Sequence, residues 1–158
     1  MESKEKILSH KLFLQQEDAN FHLPFDEEMN FYETVKNGDV ERLNTLMNPM
    51  GSKGMGKLSN NPVRNIQYHM VITVAMITRF CVEGGMPAET AYTLSDIYIQ
   101  QIDTTKDLEA LHKLHHDLIF DYAERMRNIK NRIGFSQPII TAADYIYNPL
   151  NEKITLDD

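Results

Sequence analysis

Residues 61–85 read NPVRNIQYHMVITVAMITRFCVEGG, and they set the architecture of the chain. Asn61 followed by Pro62 is a strong helix start. The Asn side chain can accept from an orphan N–H of the first turn, and a proline at the first helical position lacks an N–H that would go unpaired there. From Val63 to about Val82 there is no breaker, and Ile66, Met70, Val71, Val74, Ile77, Phe80 and Cys81 cover more than one helical face. A helix apolar almost all round belongs inside a bundle. The spacing therefore predicts a central, buried helix, ended by Gly84-Gly85 in the left-handed manner.

Downstream, Pro87 opens a helix with Ala91, Leu94, Tyr98 and Ile102 inward, and Asp103-Thr104-Thr105 reads as a turn and cap. A long helix follows to about Arg132. Its apolar positions, Leu108, Leu111, His115, Leu118, Tyr122, Met126 and Ile129, alternate in steps of three and four and make one narrow stripe. That stripe can pack against the central helix or against a second copy of itself. Upstream, Asp26 reads as an N-cap with Glu27 and Glu28 in the first turn of a helix that stops at Gly38, and Asp39 caps a short helix carrying Val40, Leu43, Leu46 and Met47. The stretch PMGSKGMGKLSN, residues 49–60, holds three of the seven glycines and reads as a flexible loop. Residues 1–25 fit either a short helix or an extended arm. Within them Phe21, Leu23 and Phe25 alternate around Pro24 as an extended segment anchored on something apolar. Beyond Gly134, Ser136 and Pro138 start a last helix with Ile139, Ile140, Ala143, Tyr145 and Ile146. Thr155 with Asp158 looks like the opening of one more helix. The expected fold is all-α: a bundle of about six to seven helices with a long antiparallel helix core.

Composition narrows the function. The chain has 158 residues, 42% hydrophobic and 25% charged, within the globular range. Its single cysteine, Cys81, excludes an internal disulfide and fits a reducing compartment, so a cytoplasmic location is expected. The longest apolar run, Met70 to Met76, is far shorter than the roughly 18 residues a membrane span needs. The net charge is −7. A surface that binds nucleic acid by itself carries an excess of Lys and Arg to replace condensed counterions, which this chain does not have. Its basic cluster, Arg125, Arg127, Lys130 and Arg132, lies at a helix C-terminus, where cations answer the helix dipole.

Reaction chemistry is sparse, and no enzyme or cofactor is expected. His112 and His116 share a helical face at i,i+4 spacing, but the segment reads HKLHH, Glu109 is the nearest acidic companion, and no metal site is assigned. Cys81 lies in an apolar stretch that makes a thiol inert. GSKGMGK lacks the spacing of a phosphate-binding loop, with Leu58 where the metal-binding hydroxyl would stand. Asp96, Asp117 and Asp121 read as solvated surface. Arg79 falls within the apolar central helix and must find a carboxylate or a ligand there, since an unpaired buried charge costs several kcal/mol. Glu83, one turn on, is the simple partner. The functional alternative is a ligand cavity lined by His69, Arg79 and Tyr92.

Two segments carry a family likeness. GKLSNNPVRNIQYHMVITVAMITRFCVEGGMPAETAYTLSDIYIQQID, residues 56–103, resembles the helical regulatory region that precedes the DNA-binding domain in many AraC-type transcription regulators of Firmicutes. The likeness lies in GKLS-x-x-P-x-R-N, the T-R-F-x-x-E-G-G turn and A-Y-x-L-S-D-x-Y-I. PIITAADYIYNPLNEKITLDD, residues 138–158, is similar to the opening of the AraC-type DNA-binding domain, with Pro149 departing from the family pattern. The resemblance implies a regulatory and dimerisation domain over 1–135 and, over 136–158, the truncated start of a helix-turn-helix domain whose recognition helices are not in this chain. It implies a homodimer, promoter DNA bound only through that further domain, and a small-molecule effector that the sequence does not identify. The candidate dimerisation residues are Leu108, Leu111, Leu118, Tyr122 and Ile129. The alternatives are a dimerisation-only helical module and a small helical metal- or ligand-binding protein.

Overall fold

A computed structural model describes residues 3–17, 21–46 and 54–133. The expected last helix from Ser136, the Thr155 cap and the whole 136–158 segment lie outside the described residues. Six helices fill the rest: α1 (Lys4–Glu17), α2 (Phe25–Asn37), α3 (Val40–Leu46), α4 (Pro62–Glu83), α5 (Ala88–Thr104) and α6 (Leu108–Ile133). Among the described residues there is no strand, and the fold is an all-α bundle.

Local chemistry explains most helix ends. The Asn61 side chain accepts from the Arg64 N–H at 3.1 Å and Pro62 is the first helical residue of α4. Asp39 accepts from the Arg42 N–H at 3.0 Å at the start of α3. Three expected boundaries move. Helix α2 begins at Phe25, because the Pro24 carbonyl already accepts from Glu27 and Glu28, and Asp26 sits in the first turn without capping it. Helix α5 runs on to Thr104, and α6 is capped by Asp107, whose carboxylate accepts from the Ala110 N–H at 2.8 Å. At the end of α4, Gly84 stays right-handed and only Gly85 turns to a positive φ of 105°.

The core joins α2, α4, α5 and α6, with Leu43 of α3 buried in it. Antiparallel α4 and α5 are clipped at one end by the Gln67 side-chain amide, which donates to the carbonyls of Ile102 and Thr105 at 2.7 and 3.0 Å. The two longest helices, α4 and α6, run in the same direction, because α5 returns the chain between them. Thr78 meets Tyr122, and Gly85 lies beside Ile129 further along both. Ile66, Met70, Val74, Ile77 and Cys81 of α4 pack with Leu111, Leu118, Ile119, Tyr122 and Met126 of α6 in one apolar cluster. The expectation of an all-round buried α4 is corrected. Tyr68, Ile72 and Arg79 share one strip of the helix, and all three are exposed.

The turn between α2 and α3 is pressed against α6. Gly38 has φ 67°, and a Cβ there would lie 2.4 Å from the Arg127 backbone nitrogen. Arg127 in turn reaches Gly38 O and pairs with Glu41, and Lys130 bonds the Asn37 side chain.

Helix α1 resolves the ambiguity at the N-terminus in favour of a helix, although it buries none of its residues. Phe21 and Leu23 are extended and exposed rather than anchored on apolar surface, and Phe25, at 70%, is the most exposed large hydrophobic among the described residues. The Leu23 N–H bonds the Gly54 carbonyl at 3.2 Å. Gly54 takes φ 99°, and a side chain there would press on the Leu23 backbone nitrogen at 3.0 Å, so glycine permits this crossing of two chain segments.

Candidate functional site

The three residues proposed from sequence as a ligand cavity do not meet. His69 and Arg79 are ten residues apart on one helix, about 15 Å along its axis. The Arg79 guanidinium is exposed and donates to the Ala75 carbonyl at 2.8 Å, which meets its hydrogen-bonding need without burial. Glu83, its expected partner, lies 3.7 Å from Lys36 instead. Tyr92 is exposed on α5. Of the three, only His69 reaches a loop, through the Gly56 carbonyl.

The proposed dimerisation stripe is occupied within the chain. Leu111, Leu118 and Tyr122 are fully buried in the single chain's own core and Ile129 packs against it, leaving only Leu108 exposed. His115 lies in the same seam. Burial, with the neighbouring His112 and His116 charges as lesser causes, pushes its imidazole down to about 4, so it is neutral near pH 7. Among the described residues no cluster of three or more His, Cys, Asp and Glu could hold a metal ion. The His116 ring stacks on Phe120 at 4.3 Å. Burial pushes the Cys81 thiol up to about 12, which removes the thiolate needed for nucleophilic chemistry. The basic cluster of α6 is engaged too. Arg125 pairs with Asp121 at 2.8 Å, and Arg127 and Lys130 tie α6 to α2 and α3.

A concave feature among the described residues lies elsewhere, between α1, the extended 21–22 segment and residues 54–60. It is a half-open cleft of about 620 Å³, within the range of small-molecule sites. The chain forms its wall through side chains of α4. The Asn65 carboxamide oxygen accepts from the N–H groups of Leu58 and Ser59 at 2.7 and 3.1 Å. His69 Nε2 lies 2.7 Å from the Gly56 carbonyl. A carbonyl only accepts, so this ring nitrogen carries the proton. Residues 54–60, which composition alone suggested were flexible, are thus pinned at Gly54, Gly56, Leu58 and Ser59. Gly56 also admits the His22 ring, since a Cβ there would stand 2.9 Å from His22 Nε2.

The lining is mixed. Lys11, Lys57 and His22 supply the polar character, and Leu14, Phe21 and Leu58 supply exposed apolar surface. Among the described residues no acidic side chain lines the cleft. Sequence reading missed it because residues 11–15 and 21–22 on one side lie more than 30 positions from 54–60 on the other, with no shared periodicity. The one available signal was Asn65, a short amide within reach of a glycine-rich loop. No protein-family profile, curated protein or solved structure matches the chain.

Proposed function

We propose that this chain is the effector-sensing portion of an AraC-type transcription regulator. The observation that carries the reading is the position of the cleft. Its wall includes Gly56–Asn60, the residues that open the segment resembling the family's regulatory region, and Asn65 and His69 join that wall directly to α4. A ligand against the wall has a short mechanical route to the helix that heads the core. It controls DNA binding only by favouring one of two arrangements of the domains or of the dimer. DNA contact belongs to a separate domain in this reading. The chain carries −7, Arg127 and Lys130 are engaged in holding α6 to α2 and α3, and Arg125 is paired with Asp121 within α6. No helix among the described residues is long and apolar enough to cross a membrane; the reading itself puts the chain at a promoter in the cytoplasm. The reading includes a homodimer, with the interface away from the α6 seam, because that seam is filled by the chain itself.

The test is a fusion of this chain to a heterologous DNA-binding module that represses a reporter only when paired. The fusion is expected to repress, and its repression to respond to a small metabolite from a screened panel. Filling the cleft with Leu58→Trp is expected to abolish the response while leaving repression intact. A fusion that represses no better than the module alone, or one that no compound shifts, overturns the proposal.

A further inference from the structure

We propose that the cleft is a site for a small organic anion, a phosphate ester or carboxylate with an apolar group. Its charged end would face Lys11 and Lys57, and its apolar end would lie against Leu14, Phe21 and Leu58. This rests on the sensing reading and names the chemistry of its ligand.

The first argument is charge. Acidic residues outnumber Lys and Arg by 23 to 16. Four cations around the core are matched by carboxylates, Lys36 by Glu33, Lys113 by Asp117, Arg125 by Asp121 and Arg127 by Glu41, and Arg42, Arg79, Lys106 and Lys130 bond neutral oxygens instead. Lys11 and Lys57 form no ion pair among the described residues, although both line one cleft. His22 adds a third nitrogen group there. Two ammonium groups facing a shared concavity repel one another, and a bound anion turns that cost into attraction.

The second argument is surface. Leu14, Phe21 and Leu58 are 44%, 62% and 46% exposed, so a ligand carrying only charge would leave this apolar lining in water. An aromatic or branched aliphatic group covers it and gains the hydrophobic term.

The third argument is preorganisation. The wall is held before any ligand arrives, by Asn65 on Leu58 and Ser59, by His69 on Gly56 and by Gly54 on Leu23. Little ordering remains to be done on binding, which favours affinity for a small molecule.

Phenyl phosphate is the probe, with inorganic phosphate and benzyl alcohol as the charge-only and apolar-only controls. Calorimetry and thermal shift are run on the whole chain. Phenyl phosphate is expected to bind more tightly than either control and to raise the melting temperature. Its affinity should fall on moving from low salt to about 0.3 M, where screening is short-ranged. Lys11→Glu and Lys57→Glu should each weaken it about tenfold, since charge reversal replaces attraction with repulsion. Both side chains lie outside the core, and unchanged circular dichroism verifies folding. Phenyl phosphate binding no tighter than benzyl alcohol, or unchanged binding in the double variant, overturns the anion assignment, while a reporter response to some neutral metabolite would leave the sensing reading standing. Conversely, phenyl phosphate binding with a silent reporter fusion confirms the site and removes its regulatory role.

Discussion

The hydroxyl groups of Thr78 and Tyr122 meet 3.0 Å apart in the dry centre of the bundle, where α4, α5 and α6 converge. Thr78 Oγ1 also donates to the Val74 carbonyl at 2.7 Å, and the Tyr122 hydroxyl lies 3.2 Å from the Ala91 carbonyl. One buried phenol therefore links three helices. Burial is also the main reason that its pKa is pushed up to about 12. Tyr122→Phe keeps the ring packing and removes only the oxygen, at a cost of about 1 kcal/mol for the lost hydrogen bonds. Thr78→Val costs less, because Tyr122 keeps Ala91. The two losses share one contact, so the double variant is expected to fall short of their sum. Urea unfolding of the four proteins in the cycle measures this, and strict additivity would show that the hydroxyl pair contributes nothing.

Gly38 is the most constrained position in the fold. A Cβ there meets the α6 backbone, which cannot move aside as a flexible side chain can. Gly38→Ala is expected to cost about 3 kcal/mol or more, from the left-handed backbone and the clash together. Gly85 is the control. It also has positive φ, but a Cβ there meets nothing closer than Ile129 at 4.0 Å. Asn tolerates the left-handed region, so Gly38→Asn tests the cause. If backbone conformation alone mattered, Asn would restore most of the stability, whereas the clash predicts that it does not.

Helix ends of this kind were legible because their chemistry is local. Asn61-Pro62, Gly38 and Asp39 each act within three or four residues, and a single sequence displays that range. What a helical face packs against is not local. The α6 stripe was recognisable as apolar, but its spacing did not distinguish α4 from a second copy, and the fold gives Leu118 and Tyr122 to the chain's own core. Arg79 was misplaced for a related reason. Its neighbours in sequence are apolar, but the rotation of α4 against α2, α5 and α6 turns Tyr68, Ile72 and Arg79 together toward solvent. The cleft depends on Lys11, His22 and Lys57 coming together from three segments, which no periodicity encodes.

The burial of Leu118 predicts how its loss is felt. Leu118→Ala is expected to destabilise by about 2–5 kcal/mol, the range for emptying a packed core site. The drop in melting temperature should be the same at low and high protein concentration, because the contacts are within one chain. A shift that grows on dilution would assign the seam to an interface between copies.

His115 makes stability depend on pH. Its folded-state pKa is about 4 against an ordinary 6.5. Between those values the unfolded chain takes up a proton that the folded chain refuses, so stability falls as pH drops through this window and is recovered above 6.5. Across the full window the effect is about 3 kcal/mol. His115→Leu keeps an apolar group in the seam and removes the proton site. Its unfolding free energy should lose less than that of the parent between pH 7 and pH 4.5. Parallel curves for the two proteins would exclude His115 as the cause.

Asn65 is expected to control the cleft wall more than global stability. Asn65→Ala leaves the Leu58 and Ser59 N–H groups without their acceptor, a local loss of about 1–2 kcal/mol. Hydrogen exchange at those two amides should accelerate while amides of α6 keep their protection. Phenyl phosphate should then bind more weakly, because ordering the wall becomes part of the cost of binding. Asn65→Asp retains an accepting oxygen at the same reach and is expected to restore slow exchange. It also adds a negative charge close to the cleft, so it should not restore anion affinity in full. Recovery of protection without full recovery of binding separates the mechanical role of Asn65 from the electrostatics of the site. Slow exchange persisting in Asn65→Ala would mean that the wall is held by His69 and Gly54 instead.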